Sequence, residues 1–118
     1  MISTKGKTKM RISEVIEDFI FFDNGNKIEY NYYPTCCEEN YADFKQLEDV
    51  AYSYDFDENL LFERCDYGFR FGDKKRMFFI PCYSVQNGYY SNDIDIFYRN
   101  KDGNVITTLD TDCDILLK

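Results

Sequence analysis

Residues 19–30 read FIFFDNGNKIEY, and this stretch decides how the first part of the chain folds. Aromatic and β-branched residues on both sides of Asn24-Gly25 suit β-strands. An Asn-Gly dipeptide favours a tight turn, because both central residues of such a turn need positive φ. The segment therefore predicts a β-hairpin with strands over about 10–22 and 27–33. Pro34 would end it, since proline cannot donate to a strand ladder.

Further strand patterns follow downstream, separated by turn residues. Asn87-Gly88 predicts a second hairpin, and Lys101–Asn104 predicts another turn. The predicted strands are Leu60–Cys65, Gly68–Phe71, Arg76–Ser84, Tyr89–Arg99, Val105–Leu109 and a last short one at Cys113–Leu117.

One segment has a helical period instead. Apolar residues recur every three or four positions at Tyr41, Phe44, Leu47 and Val50, which predicts a helix at about 39–51. The expected fold class is α+β: one domain over 1–118, mostly an antiparallel sheet formed as a meander of hairpins, with that single helix packed on it. Residues 1–9 are expected to be a flexible basic tail.

Composition narrows the function. The 118 residues have a net charge of −8, and an acidic body repels the phosphates of DNA and RNA, so direct nucleic-acid binding is not expected. No apolar run reaches the roughly 20 residues of a membrane helix, and no signal peptide follows the basic start. Five cysteines, an odd number, argue against a secreted disulfide framework. We therefore expect a cytoplasmic protein that does not bind a membrane.

The chain contains no histidine, which removes Ser-His-Asp and Cys-His catalysis and the histidine ligands of zinc enzymes. The cysteines lack a Cys-x-x-Cys spacing, and the series Asp55, Asp57, Asn59 lacks the glycine of a calcium loop. We predict no enzyme activity, no catalytic residues, no metal ligands and no cofactor. An enzyme that uses a carboxylate or a cysteine thiolate without histidine is the remaining catalytic alternative.

The acids are clustered. Residues 38–58 contain eight acids and one lysine, and residues 93–114 contain six acids. An acidic face with interspersed tyrosines could dock on a basic protein surface in the place of a nucleic acid, although an ordinary solvated surface has the same composition. The predicted partner-binding residues are Glu38, Glu39, Asp43, Asp55, Asp57, Asp93, Asp95, Tyr89 and Tyr90.

Two short motifs carry a resemblance: Cys36-Cys37-Glu38 and the turn Asn87–Ser91, which reads NGYYS. With the order of elements over about 27–98, they resemble a family of phage and bacterial proteins known only as a domain of unknown function. The resemblance implies a mobile-element setting, in which a small acidic protein would inhibit host machinery such as a defence nuclease. The alternative is a small-ligand or metal-binding module centred on Cys36, Cys37 and the 87–91 hairpin.

Overall fold

The computed structural model describes residues 9–31, 38–88 and 90–117. Two short 3₁₀ segments, Phe44–Gln46 and Asp49–Ser53, are the only helical elements in these ranges. The strands are β1 (Lys9–Met10), β2 (Ile12–Val15), β3 (Phe19–Phe22), β4 (Lys27–Asn31), β5 (Glu39–Ala42), β6 (Phe56–Asp57), β7 (Leu61–Cys65), β8 (Gly68–Gly72), β9 (Met77–Gln86), β10 (Asp93–Arg99), β11 (Val105–Asp112) and β12 (Asp114–Leu117).

The first sheet has the strand order β11-β10-β4-β3-β2, and all its pairs are antiparallel. The predicted Asn-Gly hairpin is its centre: β3 and β4 pair with Ile20 opposite Ile28. Gly25 has a φ of 93°, and a Cβ there would lie 2.7 Å from the Cβ of Lys101. The turn therefore needs glycine for both its conformation and its close approach to the next loop. The Asn-Gly hairpin is confirmed, but the single strand predicted over about 10–22 is wrong: the chain turns at residues 16–18, and β2 folds back to pair with β3.

The second sheet has the order β12-β9-β8-β7, with β5 as an additional partner of β9. The C-terminal half of β9 pairs with β5 on one side and with β12, in parallel, on the other. Pro81 forms the last pair of the β8–β9 ladder, with Gly68, so its missing N–H falls at the end of that ladder. The predicted antiparallel sheet is thus confirmed as the dominant architecture, with this one parallel pair as an exception among the described strands.

The helix predicted at 39–51 is wrong. Residues 39–42 form strand β5, and the rest of the segment contains the two 3₁₀ segments with Leu47 between them. Asn40 and Ala42 face inward from β5 because it pairs with β9, whereas Val50 is 51% exposed instead of facing the core. The pairing of β5 with the distant strand β9 has overridden the helical spacing of apolar residues in this segment.

The hairpin predicted at Asn87-Gly88 is also wrong. Gly88 does adopt a positive φ of 98°, but β9 and β10 lie in different sheets and do not pair. The chain instead crosses between sheets here, and β10 pairs with β4 and with β11. The fold is therefore not a simple meander, because its chain order and its strand order differ.

The two sheets share one apolar core. Ile20, Ile28 and Ile96 of the first sheet and Phe69 and Phe78 of the second belong to the same fully buried cluster. Such close-packed rings and branched side chains are the main stabilising contribution in a domain of this size. None of the helical segments in the described ranges is long and apolar enough to cross a membrane. Of the predicted basic tail, residues 1–8 lie outside the described residues, and Lys9 begins β1 opposite Asp57.

Candidate acidic interface

Two clefts carry most of the predicted acidic residues. The first, which we call the aspartate cleft, has a volume of about 260 Å³. It lies beside β4, β5, β10 and β11 and is lined by Asn31, Glu38, Asn40, Ser91, Asp93, Ile94, Asp95 and Asp110. Four of these residues are acids, and none is basic.

Strand alternation explains why acids meet in the aspartate cleft. In β10, Ile94 and Ile96 face the core, so Asp93 and Asp95 face outward. The register places Asp95 directly opposite Asp110 on β11. Like charges directly opposite each other in an antiparallel pair are destabilising, so this arrangement lowers the stability of the sheet.

The electrostatics of Asp95 reflect that pairing. Partial burial is the largest cause that raises the pKa of Asp95, followed by its hydrogen bond with the Asp110 carboxyl and by repulsion from Asp110 and Asp93. The surroundings of Asp95 therefore disfavour its negative charge, and a cation beside this carboxylate would relieve the repulsion. The cleft thus favours a positive charge beside Asp95.

Asn40 forms part of the wall of the same cleft and is only 2% exposed. Its Nδ2 donates to the backbone carbonyls of Ser91 at 3.2 Å and Asp93 at 3.0 Å, and two carbonyl acceptors define which end of the amide carries the hydrogens. Its Oδ1 is buried and accepts no hydrogen bond from any described residue. A buried acceptor of this kind is normally paired, so this oxygen lacks a donor.

The second cleft, which we call the tyrosine cleft, has a volume of about 410 Å³. Its acids are Glu17, Asp18, Glu39 and Asp43, and its aromatic walls include Tyr30 and Tyr41. The Tyr30 hydroxyl donates to Asp18 at 2.9 Å. The Tyr41 ring lies 5.7 Å from that of Tyr83, and burial is the main cause that raises the pKa of Tyr41.

The two clefts are lined in part by residues that are neighbours in the chain. Tyr30 and Glu39 line the tyrosine cleft, while their sequence neighbours Asn31 and Glu38 line the aspartate cleft. Together the lining residues include eight acids, and Lys45 is the one cation among them. We call these lining residues the acidic face.

The acidic face contains five of the predicted partner-binding residues. Glu38, Asp93 and Asp95 line the aspartate cleft, and Glu39 and Asp43 line the tyrosine cleft.

The other predicted residues lie elsewhere. Asp55 forms an ion pair with Arg11, with 2.6 Å between Oδ1 and Nε, and this interaction lowers the pKa of Asp55. Asp57 is buried and accepts a hydrogen bond from the backbone N–H of Asn59. Tyr90 is partly buried near Gln86, whose Oε1 accepts its backbone N–H. Tyr89 lies outside the described residues.

Sequence reasoning missed several members of the face. Glu17 and Asp18 lie between β2 and β3, inside the stretch that the sequence predicts as one strand over about 10–22. Asp110 stands out in the sequence only as one acid of the 93–114 stretch. Asn40 falls inside the predicted helix at 39–51, so no sequence pattern indicates that it lines a cleft. Alternation around Thr111, which is buried, could have indicated that Asp110 faces outward.

Metal binding finds no support among the described residues. Within 9–31, 38–88 and 90–117, no group of three or more acids or cysteines is arranged to hold a metal ion. Cys36 and Cys37 lie outside these ranges, so the ligand or metal module centred on them stays a prediction. Cys82 and Cys113 are buried, and Cys65 is partly buried.

Comparison with known proteins identifies no relative. No family model matches the chain. No curated protein and no solved structure matches it either. The resemblance to the phage and bacterial family therefore stays a prediction that rests on its two motifs.

Proposed function

We propose that this chain is a non-enzymatic binding protein that docks its acidic face on a basic surface of a nucleic-acid-handling protein. The observation that carries the proposal is the charge balance of the two clefts, with eight acids and one lysine. The acids come from strands of both sheets and from segments far apart in the chain. The fold nevertheless gathers them in two clefts.

The chemistry of the face suits a protein partner. Complementary charge steers a basic partner toward the acids and raises the association rate, most strongly at low salt. Tyr30 and Tyr41 add aromatic surface beside the carboxylates, and tyrosine contributes contact area with little loss of side-chain entropy. Binding in place of a nucleic acid would inhibit the partner, as the mobile-element setting implied by the resemblance suggests.

Charge reversal on the face tests the proposal. The first step is a tagged pull-down from a candidate host lysate at low and high salt, followed by purification of the salt-sensitive partner. The second step measures that partner's affinity for the native chain and for a variant with Glu39, Asp43, Asp93 and Asp95 changed to lysine. Four lost ion pairs at roughly 0.2–1 kcal/mol each predict an affinity at least about fourfold weaker, mainly through slower association.

A matched control reverses acids outside the face. Glu14, Asp49, Asp66 and Asp102 are exposed and line neither cleft, so changing these four to lysine alters the net charge equally and should leave the affinity within about twofold at the same ionic strength. Duplex DNA should compete with the native chain for the partner. Equal losses in both variants would show that only net charge matters and would contradict docking by this face.

A further inference from the structure

The aspartate cleft combines two observations that point to the same kind of ligand. Its carboxylates attract positive charge, and the buried Oδ1 of Asn40 lacks a hydrogen-bond donor among the described residues. A ligand that satisfies both must be a cation that also carries N–H donors, or else a metal ion. The described residues contain no group arranged to hold a metal, which favours the organic cation.

The size of the cleft limits the ligand further. Its volume of about 260 Å³ lies below the roughly 300–1,000 Å³ of pockets that hold drug-sized molecules. The side chain of a single basic residue is small enough for a cleft of this volume. The residues that line it include three aspartates, Asp93, Asp95 and Asp110, and Asn40, whose buried Oδ1 lies behind the wall without a donor among the described residues.

We propose that the aspartate cleft is a receptor pocket for one arginine side chain of the basic partner. This inference rests on the proposed docking function and names the group that the cleft recognises. A guanidinium carries five donors in a planar fork, and it can pair with two acceptors at once. A lysine ammonium is a compact point charge with three donors and matches a set of spread acceptors less well.

In the occupied pocket, the guanidinium lies between the carboxylates of Asp95 and Asp110, which are opposite each other in the β10–β11 ladder. Its positive charge faces Asp95 and Asp93 from β10, Asp110 from β11 and Glu38 beside β5. One remaining N–H reaches the Asn40 amide oxygen. The guanidinium therefore relieves the like-charge contact between the strands and supplies the missing donor in one step.

The test uses N-acetyl-arginine methylamide as the probe and the full ¹⁵N-labelled chain as the receptor. Titration at constant ionic strength should give saturable shifts confined to the aspartate cleft, including the Asn40 side-chain amide signals. N-acetyl-lysine methylamide should bind at least about tenfold more weakly, because it loses at least one charge-assisted hydrogen bond. Calcium and magnesium chloride are titrated separately.

Two variants with equal charge changes locate the pocket. Asp95→Asn with Asp110→Asn should weaken arginine binding about tenfold or more. The double change Asp49→Asn with Asp55→Asn removes two exposed acids outside the cleft. It should leave the affinity for the arginine probe within about twofold of the native value. Both pairs change surface or partly exposed residues, and each is checked for a native spectrum before titration.

The proposal is overturned by unsaturable or scattered shifts, by equal binding of the lysine probe, or by the same shifts with calcium or magnesium alone. Failure of the pocket and failure of docking are distinguishable. If four-site charge reversal abolishes partner binding but the arginine probe does not bind, docking stands without this pocket. If the probe binds but reversal leaves the partner's affinity unchanged, the pocket stands and the docking function fails.

Discussion

Asp95→Asn is expected to stabilise the folded chain while it weakens arginine binding. In the native chain Asp95 lies directly opposite Asp110 across the β10–β11 ladder, and the proximity of Asp110 is one of the causes that raise the pKa of Asp95. An asparagine there keeps the shape, removes one negative charge and supplies an N–H donor to the remaining carboxylate. The substitution therefore replaces a like-charge contact with an ordinary hydrogen bond.

The expected gain in the free energy of unfolding follows from the position of the two residues in a cross-strand pair. Cross-strand pairs contribute roughly 0.2–1 kcal/mol, so relief of the repulsion should raise the free energy of unfolding by roughly 0.5–1 kcal/mol. For 118 residues the unfolding entropy is roughly 0.25 kcal/mol per kelvin, which converts that gain into a rise in Tm of roughly 2–4 °C.

The gain should also depend on pH. Because the pKa of Asp95 is raised above its ordinary 3.8, the folded state holds this proton more tightly than the unfolded state does. The resulting destabilisation is complete above the raised pKa and is relieved as the pH falls toward 3.8. Asp93 and Asp110 repel the same charge, and Glu38 lines the same cleft. The Tm difference between variant and native chain should therefore be largest at neutral pH and shrink toward pH 4.

The assay is thermal unfolding by circular dichroism at several pH values, with Asp55→Asn as the control. That control removes the same charge from an ion pair with Arg11, so its Tm should stay unchanged or fall by at most roughly 4 °C. A Tm of Asp95→Asn that is equal to or below the native value at neutral pH would refute the reasoning. So would a stabilisation that grows as the pH falls.

Two further predictions concern buried groups. The hydrogen bond with the Cys113 thiol, followed by burial, raises the pKa of Cys82. In the native state the buried Cys82 and Cys113 should therefore react slowly with a thiol reagent, and the partly buried Cys65 should react before either of them. Equal rates for these three thiols in the absence of denaturant would contradict this. Tyr98→Phe should lower the free energy of unfolding, measured by urea denaturation, by about 1–3 kcal/mol. The Asn26 amide donates to the Tyr98 hydroxyl at 2.9 Å and would lose this acceptor inside the core. A change below about 0.5 kcal/mol would show that another interaction replaces this bond.

The local elements could be predicted wherever short-range chemistry decides them. The Asn24-Gly25 turn needs positive φ, and the strands beside it contain the residues that suit a pleated sheet, so their hairpin was predictable. The 39–51 segment could not be predicted in the same way. Its apolar spacing suits a helix, but the ladder that β5 forms with β9 joins residues about forty positions apart, and no local pattern encodes that partner.

In the candidate site, too, the sequence predicts some features and only the strand pairing decides the others. The sequence by itself determined the acidic charge, the absence of histidine chemistry and the outward alternation of Asp93 and Asp95. Only the tertiary structure decided that Asp55 pairs with Arg11, that Asp110 lies opposite Asp95, and that the Asn40 amide joins them in one cleft. The physical reason is that charge and alternation are properties of each residue and its neighbours. A cleft depends on which distant strands pair and in which register, and that is set by the packing of the whole core.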